Sequence, residues 1–171
     1  MEKTLGVLQE MKEESLFSAY AIGGGIASSF YAEVVNTYDL DVFIILESES
    51  VVVSLTPIYS WLKERGYTSY DKEAIIIGGV PVQFIIAYNP LVEEAVKNAE
   101  IKSVFGVNVP VIKVEYVIAI MVQTGRPKDK ARLPMLIDSI FVDGTDESFK
   151  SVEDLLIRYN LLDKFKEMYD I

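Results

Sequence analysis

The stretch that decides the fold is Asp39–Leu46, with the sequence DLDVFIIL. The residues after its second acid are apolar and mostly β-branched or aromatic, which is typical of a central strand buried on both faces. Side chains alternate along a strand, so positions i and i+2 point to the same face. We therefore predict a buried strand that carries Asp39 and Asp41 together at its head.

The paired acids indicate a cation site. Two like charges this close repel each other unless a cation neutralises them. Carboxylate oxygens suit hard divalent ions, so Asp39 and Asp41 predict binding of Mg²⁺ or Mn²⁺, as in sites that clamp a triphosphate. The alternative is an exposed strand end with solvated acids. Because the body of the strand is apolar, we favour the functional interpretation.

Three consecutive glycines, Gly23–Gly25, follow the apolar segment Phe17–Ile22. We predict a strand over the segment, a tight turn at the glycines and a helix over 26–32. Since glycine has no Cβ, the backbone N–H groups of such a turn can approach a phosphate closely. A plain strand-to-helix turn explains the glycines equally well.

A compact basic segment stands out in the later part of the chain. Arg126–Arg132, with the sequence RPKDKAR, holds four basic residues within seven positions. We predict that it lies between a helix closed by Gly125 and a helix that begins after Asp129. Its arginines and lysines indicate phosphate recognition. The alternative is a solvated turn, and that alternative weighs most for Lys130 and Arg132.

The remaining periodicity predicts the order of elements. We expect helix, strand, helix, strand, helix, two strands, helix, a strand or hairpin, and then helices. Gly78–Gly79 predicts a hairpin turn, and Asn89 with Pro90 predicts a helix start. The fold class is α/β. We predict an α/β core over 1–112 with a helical segment over 113–171 packed on it, or one single domain.

Composition excludes several kinds of chemistry. The 171 residues include no cysteine and no histidine, so disulfides, thiolate zinc sites and histidine catalysis are excluded. The 16 basic and 26 acidic side chains give a net charge of −10, which disfavours broad binding to nucleic acid or to anionic membranes. No secretory signal or membrane span is visible. We therefore expect a cytoplasmic protein with no membrane partner.

The glycine and acid motifs together resemble the signature of the nucleotidyltransferase superfamily, which has the DNA polymerase β-like fold. Gly24–Ala27 (GGIA) and Thr37–Asp41 (TYDLD) are most similar to the AbiEii-type branch, which includes minimal nucleotidyltransferases and toxins of toxin–antitoxin pairs. Arg126–Asp129 (RPKD) is similar to the late Arg-x-Lys-Asp motif of that branch. The resemblance implies a mixed β-sheet flanked by helices and followed by a C-terminal helical segment.

The resemblance also implies roles for individual residues. Asp39 and Asp41 would be the catalytic pair and would bind Mg²⁺ or Mn²⁺. Lys128 would lie on a phosphate, and Asp129 would order its neighbours. The other positions implied in nucleotide binding are the glycines of the phosphate loop, two serines and one arginine: Gly24, Gly25, Ser28, Ser29 and Arg126.

The resemblance implies a third carboxylate on the strand next to the acidic pair. That strand has the sequence VPVQF over Val80–Phe84, and Gln83 occupies the corresponding position. A neutral amide cannot act as a general base, and it is a weaker ligand for a hard cation. Asp71 or Glu73, at the start of the preceding strand, are the candidates to supply the missing group.

Three functions stay open from the sequence. The first is an enzyme that transfers a nucleotidyl group from a nucleoside triphosphate to a tRNA end, a protein hydroxyl or a small molecule. The second is a degenerate member of the superfamily that binds nucleotide or a partner protein without turnover, such as one half of a toxin–antitoxin pair. The third is an α/β domain with no nucleotide site.

Overall fold

The computed structural model describes residues 1–32, 37, 39–47, 54–143 and 146–169. Tyr38 of the predicted motif lies outside the described residues. The helices of the described part are α1 (Glu2–Glu13), α2 (Gly24–Ser28), α3 (Thr56–Glu64), α4 (Pro90–Lys97), α5 (Val114–Thr124), α6 (Pro127–Asp143), α7 (Asp146–Arg158) and α8 (Leu162–Tyr169). The strands there are β1 (Ala19–Ile22), β2 (Leu40–Ile45), β3 (Tyr70–Asp71), β4 (Ala74–Ile77), β5 (Val80–Ile86), β6 (Glu100–Val104) and β7 (Val107–Val111).

One mixed sheet contains all the strands of the described residues, in the order β3-β4-β5-β2-β1-β7-β6. Strand β2 runs antiparallel to β1 and parallel to β5, while β1 runs parallel to β7. Leu40, Val42 and Ile44 of β2 are fully buried. The predicted central strand and the predicted mixed sheet are confirmed.

Helices cover both faces of this sheet. On one face, Tyr59 of α3 packs edge-to-face against Phe84 of β5, with ring centroids 6.3 Å apart. Phe84 is the register partner of Val42, so the next residue, Phe43, points to the opposite face. There Phe43 borders a small cavity together with Val117 of α5. The α/β architecture with flanking helices is therefore confirmed.

The predicted caps explain where two helices begin and end. The Asn89 side chain accepts a hydrogen bond from the Val92 backbone N–H at 3.0 Å, which caps the start of α4. Gly125 ends α5 in the left-handed conformation with φ of 66°, which glycine adopts at little cost. Both sequence signals are confirmed.

Three elements differ from the prediction. Helix α2 is a single turn that begins at Gly24 and ends at Ser28, shorter than the predicted 26–32. Helix α6 begins at Pro127 rather than after Asp129, because Pro suits the first helical position and Asp129 accepts a hydrogen bond from the Arg126 N–H at 3.3 Å. Strand β3 has only two residues and was not predicted.

The C-terminal helices are tied to the part of the chain that precedes them. The Lys164 ammonium of α8 donates to the Gln123 carbonyl near the end of α5 at 2.7 Å, which satisfies a free carbonyl of that helix terminus.

None of the helices in the described ranges combines the length and apolar character that a membrane crossing requires. The division of the chain at residue 112 stays a prediction.

A polar cluster joins α4, α5 and α7. Glu94 accepts hydrogen bonds from the hydroxyls of Tyr116, at 2.8 Å, and Tyr159, and it pairs with the Arg158 guanidinium at 2.8 Å. The Tyr159 hydrogen bond, with smaller contributions from Tyr116 and Arg158, lowers the pKa of Glu94 below its usual range. The ionised form of Glu94 therefore stabilises the packing of these three helices.

We expect Glu94→Gln to lower the free energy of unfolding at neutral pH by about 1 kcal/mol and Tm by roughly 2–4 °C. Because folding lowers the pKa of Glu94, its contribution is present above the unfolded pKa and is lost as pH falls through the folded pKa. The Tm difference between wild type and variant should therefore shrink below about pH 4. Glu93→Gln is the matched control, since Glu93 lies on the same helix and only pairs with exposed Lys97. If the Tm difference between wild type and Glu94→Gln did not shrink below about pH 4, the stabilising role of ionised Glu94 would be contradicted.

Candidate active site

The glycine turn connects β1 to α2 and presses against β2. The Gly23 N–H donates to the Asp41 carbonyl at 3.0 Å. Gly24 has φ of 56°, and a Cβ on it would lie 1.8 Å from Asp41 Oδ2. A Cβ on Gly25 would lie 2.6 Å from Thr37 Cβ. Close approach to the acidic strand therefore requires glycine at these positions.

The two predicted serines take up local hydrogen bonds in α2. Ser28 is fully buried, and its hydroxyl donates to the Gly24 carbonyl at 2.8 Å. Ser29 is exposed, and its hydroxyl donates to the Ile26 carbonyl at 2.7 Å. Neither serine borders the cleft described below. Their contact with a triphosphate stays a prediction.

Asp39 and Asp41 differ in their surroundings although they share one end of β2. Asp39 is exposed, and the Thr37 hydroxyl donates to its Oδ1 at 2.7 Å. This hydrogen bond, helped by the charges of Lys128 and Arg132, lowers the pKa of Asp39. Burial, followed by the charge of Asp39, raises the pKa of Asp41. The site therefore resists full ionisation of the pair and favours a neutralising cation.

Most of the basic segment is helical, because α6 begins at Pro127 and Arg126 directly precedes it. Buried Asp129 accepts hydrogen bonds from the Thr124 hydroxyl at 2.8 Å and from Arg126 Nε at 2.7 Å. The hydrogen bond that Arg126 donates to Asp129 raises the pKa of Arg126, and the charge of Asp41 adds to this rise. Asp129 thus fixes the Arg126 guanidinium near Asp41, and the ordering role of Asp129 at a nucleotide stays a prediction.

Helical spacing selects which basic side chains face the acids. Lys128 and Arg132 are four residues apart in α6, so they share one helix face. Both border the cleft that contains Asp39 and Asp41, and Lys130 does not. The sequence interpretation gave Arg132 little weight because the alternative of a solvated turn weighed most for Lys130 and Arg132. Once α6 begins at Pro127, the i, i+4 spacing identifies Arg132.

A cleft of about 480 Å³ brings most of these groups together. One wall comes from α6, another from the turn between β3 and β4, and the floor from β2 and β5. The residues that line it are Gly25, Thr37, Asp39, Asp41, Asp71, Lys72, Glu73, Ala74, Pro81, Gln83, Lys128 and Arg132. Gly24 and Arg126 line a small adjoining cavity that also reaches Asp41. Thr37 and Lys72 were not predicted, because a single threonine or lysine in a short connection carries no sequence signal.

Gln83 lies beside Asp41 in the sheet. The two residues are register partners on the parallel strands β5 and β2, so their side chains project from the same face. Asp71 and Glu73 line the same cleft, on the exposed turn before β4. Among the described residues, no group of three or more acids is close enough to hold one metal ion. The position next to Asp41 thus carries an amide.

The acidic pair fits a divalent cation. Its donor atoms are carboxylate oxygens, which hard ions prefer, and Mg²⁺ is commonly held by one or two carboxylates together with substrate phosphates. The pKa of Asp41 is raised by burial and by the charge of Asp39, so a cation would relieve the repulsion between the two groups. Asp39 and Asp41 are the residues that could hold such an ion.

Solved structures with a nucleotidyltransferase-like fold are similar to this chain. An antigenic nucleotidyltransferase-like protein from Paracoccidioides brasiliensis aligns with TM-score 0.56 and 14% identity, over 95% of this chain and 90% of that chain. The solution structure of the antibiotic-resistance factor ANT(2″)-Ia aligns with TM-score 0.51 and 13% identity, over 97% and 96%. ANT(2″)-Ia in complex with adenylyl-2″-tobramycin aligns with TM-score 0.52 and 16% identity, over 90% and 94%.

No protein-family model matches the chain, and no curated protein matches it. The similarity to the solved structures extends over nearly the whole length of this chain and of the matched chains. At these low identities it concerns the arrangement of the backbone. The chain therefore has a nucleotidyltransferase-like fold.

Proposed function

We propose that this protein transfers a nucleotidyl group from a nucleoside triphosphate to an acceptor. The observation that carries the proposal is the cleft in which the pair Asp39 and Asp41 faces the cations Lys128 and Arg132. A nucleotidyltransferase-like fold supports it. One structural neighbour is in complex with adenylyl-2″-tobramycin, a molecule that carries a transferred nucleotidyl group.

The residues of the cleft have distinct tasks in this proposal. Asp39 and Asp41 would hold Mg²⁺ or Mn²⁺, and the bound ion would stabilise the charge that grows on the phosphates. Lys128 and Arg132 neutralise the triphosphate from α6. The Thr37 hydroxyl orients the Asp39 carboxylate through its hydrogen bond of 2.7 Å. The Asp39 carboxylate is thus positioned by a neighbour before substrate binds.

The glycine turn and Arg126 complete the proposed nucleotide site. Gly24 and Gly25 allow the backbone to lie against the acidic strand, where its N–H groups can meet a phosphate. The Arg126 guanidinium is hydrogen-bonded to Asp129 and lies near Asp41. In the reaction, the acceptor oxygen bonds to the α-phosphorus while the bond to the bridging oxygen breaks, and pyrophosphate leaves.

The acceptor is the open part of this function. A tRNA end, a protein hydroxyl and a small molecule are the candidates, and the net charge of −10 disfavours a large RNA footprint unless the basic start of α6 binds it. Membership of the AbiEii-type branch and a role in a toxin–antitoxin pair stay predictions. The same holds for the cytoplasmic location.

A second function is favoured by Gln83. The amide beside Asp41 leaves the site without a carboxylate at that position, and general acid–base catalysis typically contributes a factor of about 10²–10⁴ to a rate. On this alternative the protein binds Mg²⁺ and a nucleoside triphosphate without transferring it. A binding module that regulates a partner protein would then be the function.

A transfer assay separates the two functions. The full chain is incubated with each α-³²P-labelled nucleoside triphosphate, Mg²⁺ or Mn²⁺, and tRNA, protein or small-molecule acceptors. We expect label on one acceptor and release of pyrophosphate, and we expect neither with Asp39→Asn/Asp41→Asn. Intact binding without transfer to any acceptor would favour the binding module. Absence of Mg²⁺-dependent triphosphate binding would overturn both.

A further inference from the structure

The chemistry of Gln83 bears on the kind of acceptor. When a hydroxyl oxygen bonds to phosphorus it must lose its proton, and a general base has to lie within hydrogen-bond reach to take it. The residue beside Asp41 on β5 is an amide, which takes no proton. Asp39 and Asp41 would be occupied as metal ligands in the proposed function. Among the residues that the structure describes, the floor of the cleft thus offers no free base next to the acidic pair.

The other acids of the cleft lie elsewhere. Asp71 and Glu73 are exposed on the turn before β4. In the described ranges they form no metal-binding group of three with the acidic pair. Neither of them is the register partner of Asp41, which is Gln83. Their charges and those of Asp39 and Asp41 are opposed in the cleft by three cations, Lys72, Lys128 and Arg132.

Lys72 adds a cation on a wall of the cleft that α6 does not form. It lies at the tip of the turn between β3 and β4, exposed and with φ of 54°. A left-handed conformation is unfavourable for a non-glycine residue. The turn nevertheless carries a lysine at this position, and that lysine borders the cleft. Lys72 stands between Asp71 and Glu73, two exposed acids of the same cleft, and offsets part of their charge.

We propose that the acceptor attacks through an oxygen that is already an anion at neutral pH, in a phosphate or carboxylate group, and that Gln83 sets this preference. This inference rests on the proposed transferase function. The acceptor oxygen forms a bond to the α-phosphorus, the bond from that phosphorus to the bridging oxygen breaks, and pyrophosphate leaves with the electron pair. No proton has to move, so an amide at position 83 suffices.

The test compares three small acceptors with the full-length protein, Mg²⁺ and each nucleoside triphosphate. ³²P-labelled inorganic phosphate would give a nucleoside diphosphate labelled at its β-phosphate. ¹⁴C-labelled acetate would give an acyl nucleotide, which hydroxylamine traps, and ¹⁴C-labelled glycerol would give a phosphodiester. We expect transfer to phosphate or to acetate at least about tenfold faster than to glycerol, because only glycerol needs a general base.

Variants at Gln83 test whether this residue sets the preference for anionic acceptors. We expect Gln83→Glu to raise transfer to glycerol by at least about tenfold, since it restores a base beside Asp41. Gln83→Met removes the amide without adding a carboxylate, so it should keep the wild-type preference. Asp71→Asn and Glu73→Gln should also keep it. A Mg²⁺-dependent thermal shift with nucleotide shows that each variant is folded and binds.

Three results would overturn the inference. One is wild-type transfer to glycerol as fast as to phosphate and acetate. Another is a preference that changes in Asp71→Asn or Glu73→Gln, because the base would then lie on the turn. The third is transfer to a hydroxyl acceptor with no transfer to phosphate or acetate. Failure of the proposed function looks different, since no acceptor of either kind would then be labelled.

Discussion

Replacement of Asp39 and Asp41 together by asparagine is expected to abolish Mg²⁺-dependent binding of a nucleoside triphosphate. In wild type, ligand at about 100 times Kd should stabilise the fold by about 2.7 kcal/mol, which corresponds to a rise in Tm of roughly 5–10 °C. The double variant should show no rise. Asparagine keeps the shape of each side chain but removes the charge that holds the cation.

The unliganded double variant should stay close to wild type in stability, because ionised Asp39 stabilises the folded state whereas ionised Asp41 destabilises it. Burial and the charge of Asp39 raise the pKa of Asp41, so ionised Asp41 destabilises the folded state at neutral pH. Removal of both charges relieves this repulsion. A loss of binding with no loss of stability separates a binding role from a structural one.

The matched control removes two other charges from the same cleft. Asp71→Asn/Glu73→Gln changes the net charge by the same amount, and both residues line the cleft on an exposed turn. We expect this control to keep the thermal shift with Mg²⁺ and nucleotide. Equal shifts in wild type and in Asp39→Asn/Asp41→Asn would contradict the proposed role of the pair.

The sequence predicts those elements whose signals are local. The apolar run after Asp41 predicts β2, and the glycines predict the turn before it, because burial and backbone freedom act on the residues themselves. Gln83 is assigned to the position beside the acids from the resemblance to nucleotidyltransferases, which implies a third carboxylate on that strand. The register pair of Asp41 and Gln83 agrees with that assignment.

The parts that the sequence did not predict depend on contacts between distant segments. Strand β3 has two exposed residues and exists only because it pairs with β4. Arg132 joins the cleft because α6 starts earlier than predicted, and that start depends on the buried hydrogen bonds of Asp129. Sequence periodicity indicates which side chains are buried, but it does not indicate which exposed side chains line the same cleft.

Gly24→Ala is expected to damage both the stability of the fold and the site. A left-handed conformation costs an alanine about 1–2 kcal/mol, and forced overpacking adds about 1–3 kcal/mol, so we expect a loss of roughly 2–5 kcal/mol in the free energy of unfolding. The overpacking arises because the new Cβ would lie 1.8 Å from Asp41 Oδ2. Denaturant unfolding measures the stability, and the thermal shift with Mg²⁺ and nucleotide measures binding.

Gly79→Ala is the control that separates the cost of the left-handed backbone from the cost of overpacking against Asp41. Gly79 also has a positive φ, of 84°, but a Cβ on it would meet nothing within 4 Å. It lies in the turn between β4 and β5, at the opposite end of β4 from the cleft. We expect this control to lose about 1–2 kcal/mol and to keep binding. If both variants lost the same stability and both still bound nucleotide, the close packing of Gly24 on Asp41 would have no part in the site, because backbone strain alone would explain each loss.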